Sequence, residues 1–426
     1  MTNAVPGTRV LAQIYAADGM TLARQTDRWG RLLGQFRRRF GESDVHLFSA
    51  PGRTEICGNH TDHNHGMVLA AGVDLDSIAV AAPSSDETIT VCSEGYGRPF
   101  VVALEDLSVV AAERGTTTAL IRGIASRFRE LGYAAGGFRA CLASDVPVGS
   151  GLSSSASVEV LIATILNALH NGTQVDAEQI ALIGQFAENE YFGKPCGLMD
   201  QITCAVGGIV KIDFNDPGAP VVEKIAFDFA ASGYSLLVVD TGGSHADLTE
   251  DYASIPREMK WVAARFGREV CRQISEQELL NNLAGLRAGV GDRAILRALH
   301  FLKENQRVDL QVAALRNKDM QGFLELIEES GNSSYRWLQN CVSARAGTEQ
   351  GIPLALALAE GFVRRCGGAC RVHGGGFAGT IQVFIPCACA DEFRTLMESA
   401  FGSGCVKILR VRPQGALELK PEDSRQ

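Results

Sequence analysis

The sequence predicts an α+β protein of two domains, organised around one glycine- and serine-rich turn. Three observations lead there. The chain has 426 residues, a length that suggests two domains, or three. Strand-like apolar runs alternate with helical stretches up to about residue 214, and a mainly helical pattern over about 275–364 lies between strand-like runs at 235–240 and 381–385. The turn, Pro147-Val148-Gly149-Ser150-Gly151-Leu152-Ser153-Ser154-Ser155-Ala156, sits between a strand-like run and a long apolar helical run.

That turn reads as a phosphate cradle. Small residues let backbone N–H groups crowd around an anion, and the following helix aims its positive end at the same point. It is not a Walker A loop, because the lysine of G-x-x-x-x-G-K-[ST] is missing. An ordinary Gly/Ser turn capping a helix fits these residues equally well.

Composition narrows the partners. Hydrophobic residues make up 46% of the chain and charged residues 21%, which is ordinary for a globular protein. A net charge of −9 argues against a nucleic-acid backbone as partner. No apolar run reaches the ~20 residues that span a bilayer. No cationic start precedes an apolar core, so no signal peptide is expected. The 12 cysteines are scattered without C-x-x-C spacing, which points to free thiols in a reducing compartment and a cytoplasmic location.

Residues 1–42 read as a helical lead-in, with Leu22, Trp29, Leu32, Leu33 and Phe36 near helical spacing. Residues 45–49 read as a strand that ends at Ala50-Pro51-Gly52-Arg53. A polar loop is expected from Thr54 to Gly66, carrying Glu55, Asn59, His60, Thr61, Asp62, His63, Asn64 and His65. Burying so many hydrogen-bonding groups costs free energy unless something binds them, and a ligand rich in hydroxyls would do so. The other reading is a metal site at His60-x-Asp62-His63-x-His65, which would need ligands in fixed geometry. Further strands are expected at 78–82, 89–92, 100–102 and 137–143, and helices at 117–132, 156–169 and 177–191.

Gly193–Gln201 sets Asp200 beside glycine and apolar residues, twelve positions after Glu188 on the preceding helix. One carboxylate could hold a metal and the other a substrate. A helix-capping Asp and a surface Glu are the plainer alternative. A strand at 209–214 leads to the turn at 215–218, near which the domain boundary is placed. The strand at 235–240 leads to the stretch Thr241–Asp247 and a helix carrying Tyr252. Glycines cluster again at 374–379, where they permit close backbone approach. Residues 417–426 read as a polar, frayed tail.

Together these stretches resemble the signature motifs of the GHMP small-molecule kinases, and within them the galactokinases. The galactokinase pattern P-G-R-V-N-L-I-G-E-H-T-D-Y-N-x-G is matched at 51–66, with Glu55 in place of Asn, Asn59 in place of Glu and His63 in place of Tyr. P-x-G-x-G-L-S-S-S-A-S is met throughout 147–157, C-G-I-M-D-Q at 196–201 with Leu198 for Ile, and G-G-G-F-G-G at 374–379 with Ala378 for Gly. The resemblance implies a two-domain GHMP kinase fold with the active site in the cleft between domains. Residues 43–225 would form an N-terminal α/β domain with a mixed sheet, and 226–416 a ferredoxin-like C-terminal domain. Residues 1–42 would be an extension and 417–426 a tail.

The resemblance also implies transfer of the γ-phosphate of ATP, with Mg²⁺, to the anomeric O1 hydroxyl of galactose or a related sugar. Pro147, Gly149, Ser150, Gly151, Leu152, Ser153, Ser154 and Ser155 would hold the nucleotide. Ser155 and Glu188 would hold Mg²⁺, a hard cation that prefers oxygen. Asp200 would act as base or orienting anion, with Arg53 beside it stabilising charge and depressing its pKa. Asn59, His60, Asp62, Gly197 and Tyr252 would contact the sugar. The exchange at Asn59 removes a negative charge where the family meets the sugar near its C6 hydroxyl, which would suit a different sugar, such as a uronic acid or amino sugar. A sugar and ATP sensor of the same fold is the other alternative. The complete serine run, with Asp200 and Arg53 present, argues against it. The expected partners are a small sugar and ATP, with a monomer favoured.

Overall fold

A computed structural model describes residues 5–15, 17–243, 248–343 and 347–419. Residues 244–247 of the expected loop before Tyr252, and 420–426 of the expected tail, lie outside these. Two helices open the chain, α1 (Thr8–Ile14) and α2 (Gly19–Phe40). Asp18 caps α2 by accepting from Thr21 N at 2.8 Å. Arg37, Arg38 and Arg39 fill its last turn, where the helix dipole favours cations. Trp29, Leu32, Leu33 and Phe36 are buried along one face, as their spacing predicts.

The first sheet is built from β1 (His46–Cys57), β2 (Met67–Pro83), β3 (Thr88–Ser93), β4 (Phe100–Ala103), β5 (Phe138–Ser144), β6 (Ile209–Asp213), β7 (Val221–Ile225) and β12 (Leu417–Leu419). Its order is β12-β1-β2-β5-β3-β4, with β6 also on β2 and β7 on β6. Only β3 and β5 run parallel, so the sheet is mixed. Helices α3 (Thr117–Glu130), α4 (Ser154–His170), α5 (Ala177–Phe186) and α6 (Met199–Val206) cover one face. There Phe48, Ala50, Ala79 and Ala81 meet Ile124, Val160 and Ile202. The alternate residues Leu47, Ile78 and Val80 face α1 and α2.

Two strands are longer than their sequence suggests. β1 does not stop at Pro51 but runs to Cys57. Bulges against β2, between Pro51 and Arg53 and between Glu55 and Cys57, absorb a residue that can donate no ladder bond. β2 begins at Met67, well before the strand expected at 78–82: Met67–Ala71 pairs with β6 and Ser77–Pro83 with β5. The polar loop is correspondingly shorter and begins at Gly58.

The second sheet contains β8 (Tyr234–Asp240), β9 (Ala369–His373), β10 (Thr380–Pro386) and β11 (Val406–Leu409). Its antiparallel order, β11-β8-β10-β9, is that of a ferredoxin-like β-α-β-β-α-β layer. The first crossover is expanded into α7 (Thr249–Ala264), α8 (Glu276–Asn281), α9 (Leu283–Val290), α10 (Asp292–Arg316), α11 (Met320–Ser333) and α12 (Gly351–Cys366). The second is α13 (Ala390–Phe401). The chain then returns to the first sheet, and Leu419 lies opposite Leu47 across the β12–β1 ladder. Residues 417–419 are therefore an edge strand rather than a frayed tail, held by backbone pairing and by a buried Leu419. No helix among the described residues is long and apolar enough to cross a membrane. All 12 cysteines are free.

A buried charge cluster ties these parts together. Asp76 accepts from Arg28 Nη1 at 2.6 Å, Arg412 Nη1 at 3.1 Å and Tyr15 Oη at 2.5 Å, and also from Ser49. Burial pushes the Asp76 carboxyl up, but the two guanidinium groups overcome this and hold it below the usual range. Arg28 also donates to Ala143 O and pairs with Asp145. The lead-in helix thus braces the strand that enters the phosphate turn. Asp76→Asn leaves two buried cations without their anion and should cost about 3–5 kcal/mol. Urea unfolding measures this, and a loss below about 1 kcal/mol would contradict the anchoring role.

Candidate active site

The turn at 147–155 is shaped by three left-handed residues, Gly149 (φ 77°), Gly151 (φ 70°) and Ser153 (φ 59°). Its neighbours leave no slack. A Cβ on Gly151 would stand 3.0 Å from Thr380 Oγ1, and one on Gly52 would stand 2.8 Å from Leu152 O. Arg53 N donates to Leu152 O at 3.0 Å. The turn is therefore clamped between β1 and the glycine run after β9. Ser153 occupies the N-cap position of α4, yet its side chain does not cap the helix. An N-terminus without a side-chain cap offers its N–H groups and positive dipole end to an anion.

The Ser153 hydroxyl goes to Asp200 instead, donating to Oδ2 at 2.5 Å. Arg53 grips the same carboxylate with both prongs, Nε to Oδ1 at 2.7 Å and Nη2 to Oδ2 at 2.8 Å. Its third nitrogen, Nη1, donates to Gly151 O. One guanidinium thus joins β1, the turn and the start of α6. Burial raises the Asp200 carboxyl, while Arg53 and then Ser153 outweigh it and hold it below the usual carboxylate range. With 32% of its side chain exposed, Asp200 can still meet a ligand.

Glu188 lies two residues past α5, in a π-helical segment (Ala187–Phe192) whose extra residue re-aims the chain. Ser155 Oγ donates to Glu188 Oε1 at 3.5 Å. Gln201 Nε2 bridges Glu188 Oε2 at 3.0 Å and Glu159 Oε2 at 2.9 Å. Burial and the nearby Glu188 carboxylate push the Glu159 carboxyl well above its usual range. A hydroxyl and one carboxylate beside a phosphate turn make a donor set suited to Mg²⁺, which takes few protein ligands and fills its shell with water and phosphate oxygens. Among the described residues no three His, Cys, Asp or Glu side chains form a metal cluster.

The polar loop is satisfied mostly by the protein itself. Thr61 Oγ1 donates to Gly58 O at 2.8 Å and Met67 O at 2.6 Å. Asn64 Oδ1 accepts from Cys271 N at 3.2 Å. His60 Nε2 donates to Gly375 O at 2.8 Å, and burial lowers that imidazole to about 4. Its ring stacks on Tyr252 at 6.4 Å, and Tyr252 Oη donates to Gly376 O at 2.9 Å. Asp62 lies against Gly197, where a Cβ would stand 1.8 Å from Asp62 Oδ2. His60 and Tyr252 thus meet at the third glycine run, and Gly197 meets Asp62 of the first motif. Asn59, expected to contact the sugar, is held by the protein itself. It is fully buried, and protein groups use its whole amide, so it offers a sugar no free donor or acceptor.

Residues 119–208 match the GHMP kinases N terminal domain, and 34–83 match the galactokinase galactose-binding signature. Over these two stretches the chain carries the sequence signatures of the GHMP kinases. Galactokinase from Lactococcus lactis, solved with galactose, shares 22% identity at a TM-score of 0.76, over 90% of this chain and 98% of that one. Mevalonate kinase from Methanococcus jannaschii shares 14% at 0.60, over 87% and 99%. Phosphomevalonate kinase from Streptococcus pneumoniae shares 11% at 0.60, over 87% and 100%. At these identities the structures speak for the fold, and the two family matches carry the kinase assignment.

Two further residues hold the site together without having been expected to. Gln201 closes the C-G-I-M-D-Q match at 196–201, where no role is expected for it. His373 bridges Thr54 Oγ1 at 3.0 Å and Thr380 Oγ1 at 2.8 Å, tying the first motif to the third. Burial drives His373 down to about 3 and also lowers His300. Below about pH 6.5 the unfolded chain takes up protons on these imidazoles that the folded one refuses, so stability falls with falling pH. The expected slope is up to about 1.4 kcal/mol per pH unit for each histidine. Denaturation between pH 7 and 5 tests this, and the slope should be shallower in His373→Gln. Equal slopes in parent and variant would remove His373 from the account.

Proposed function

We propose that the chain is a galactokinase-type sugar kinase, transferring the γ-phosphate of ATP to the anomeric O1 hydroxyl of galactose or a closely related sugar. The observation that carries this is the bidentate Arg53–Asp200 pair, bonded through Ser153 and Gly151 to the phosphate turn. Phosphoryl transfer asks a protein for alignment and charge stabilisation more than for covalent chemistry. An acceptor hydroxyl at Asp200 would lie beside the turn that holds the donor phosphates.

Asp200 is ionised at neutral pH and is a weak base because Arg53 stabilises its charge. Its work is to accept a hydrogen bond from O1, orient the oxygen, and take the proton as the new O–P bond forms. Arg53 keeps that carboxylate in place and lends positive charge where negative charge moves. His60, Asp62, Gly197 and Tyr252 line the sugar side. Ser155 and Glu188 would hold Mg²⁺, which supplies neutralisation of phosphate charge when bound. Gln201 fixes the second oxygen of Glu188.

Asp200→Asn keeps the shape and removes the charge. It should lower sugar-dependent ADP release by on the order of 10³-fold while ATP still binds. Turnover within about threefold of the parent would refute the assignment. Gln201→Leu should raise the half-saturating Mg²⁺ concentration by about tenfold or more, without weakening metal-free ADP binding. An unchanged Mg²⁺ requirement would deny Gln201 its orienting role.

A further inference from the structure

Two departures from the galactokinase pattern, Glu55 for Asn and Asn59 for Glu, look independent along the chain. They touch in the fold: Asn59 Nδ2 donates to Glu55 Oε1 at 2.9 Å. The residue types are exchanged between two positions in contact. The carboxylate has therefore moved rather than disappeared, and the pair keeps one acid and one amide.

The two members have different capacity left. Asn59 Nδ2 also donates to Gly374 O at 2.7 Å, and Asn59 Oδ1 accepts from Asn340 Nδ2 at 2.7 Å and Ser334 Oγ at 3.4 Å. That uses both amide hydrogens and both lone pairs. Glu55 Oε1 is used as well, by Asn59 and by Arg371 Nη2 at 3.2 Å. Glu55 is buried, with 4% of its surface exposed, and its Oε2 has no hydrogen-bond partner among the described residues. No bulge separates Arg53 from Glu55, since their partners on β2 run in unbroken register from Gly72 to Ala70. Both side chains therefore leave the same face of β1. That face carries the Arg53–Asp200 pair.

We propose that Glu55 and Asn59 are one transposed carboxylate–amide pair, and that Glu55 Oε2 accepts a hydrogen bond from a neutral hydroxyl of the sugar. This rests on the sugar-kinase reading and narrows it. Burial raises the Glu55 carboxyl to about 7 even against the pull of Arg371 and Arg53. This wall already resists one negative charge, and a second carboxylate beside it would be opposed further, whereas a neutral hydroxyl can donate to it. The acceptor is therefore a neutral hexose of the galactose kind, not a uronic acid. Asn59→Glu alone does not rebuild the family arrangement. It sets two carboxylates side by side in a buried space.

The test is a mutant cycle on the full chain: Glu55→Asn, Asn59→Glu and the double exchange, with Glu55→Gln as the mild variant. Melting temperature is read without substrate. ADP release is read with galactose and with galacturonate. Both single exchanges should lower the melting temperature, and the double should recover at least about half of the summed loss. The parent should favour galactose over galacturonate by about tenfold or more in kcat/KM, and Glu55→Gln should raise the galactose KM about tenfold. Additive melting losses would overturn the pair. A preference for galacturonate, or an unchanged KM in Glu55→Gln, would overturn the acceptor role. A parent that releases no ADP with any sugar would overturn the kinase reading and the acceptor role together, while the melting cycle would still decide whether the two residues act as one.

Discussion

The Arg53 guanidinium is the constraint on which the rest of the site depends. It lies at the bulged end of a strand, buried, and spends its donors on an acidic side chain and on the carbonyl of Gly151. Charge-assisted bidentate bonds are strong and directional, so the carboxylate is held in one orientation. The same bonds fix the phosphate turn relative to α6. In the proposed phosphoryl transfer, loss of that geometry would separate the acceptor side from the donor side.

Around it the protein uses polar burial for shape. His373 links β1 to the third glycine run through two hydroxyls, and Arg371 reaches Ile56 O at 2.6 Å and Glu55. Glu304 accepts from Gly58 N at 3.2 Å and Ser330 Oγ at 2.5 Å, and pairs with Arg307. Burial alone would raise Glu304, but His300, Arg307 and Arg371 together lower it to about 2. Buried ion pairs add little net stability over a well-packed apolar core, but a half-removed one is costly. The network beneath the loop at 58–66 therefore sets one arrangement of the two domains, since its members come from β1, β9, α10 and α11.

Much of this was legible in the residues. The helical spacing of Trp29, Leu32, Leu33 and Phe36 placed α2, and the turn at 147–156 lay where a strand met a helix. Proline and glycine misled at β1, because the bulges that tolerate them depend on the partner strand. The density of polar groups at 54–66 suggested an absent ligand. Several of those groups find partners more than two hundred residues away in the chain, such as Cys271 for Asn64, His300 for the carbonyl of Asn59 and Gly375 for His60. The tail failed for a similar reason, since β12 exists only because β1 offers it an edge.

The sequence by itself determined which chemical groups are available and in what local frame: the glycines that allow left-handed backbone, the serines at the head of α4, and Asp200 in the first turn of α6. These follow from backbone sterics and helix ends, which act over a few residues. Only the tertiary structure decided which groups remain free to act. Hydrogen-bond capacity is finite, and whether Asn59 or Glu55 has any to spare depends on Asn340, Ser334, Arg371 and Gly374, which the chain brings there from far away.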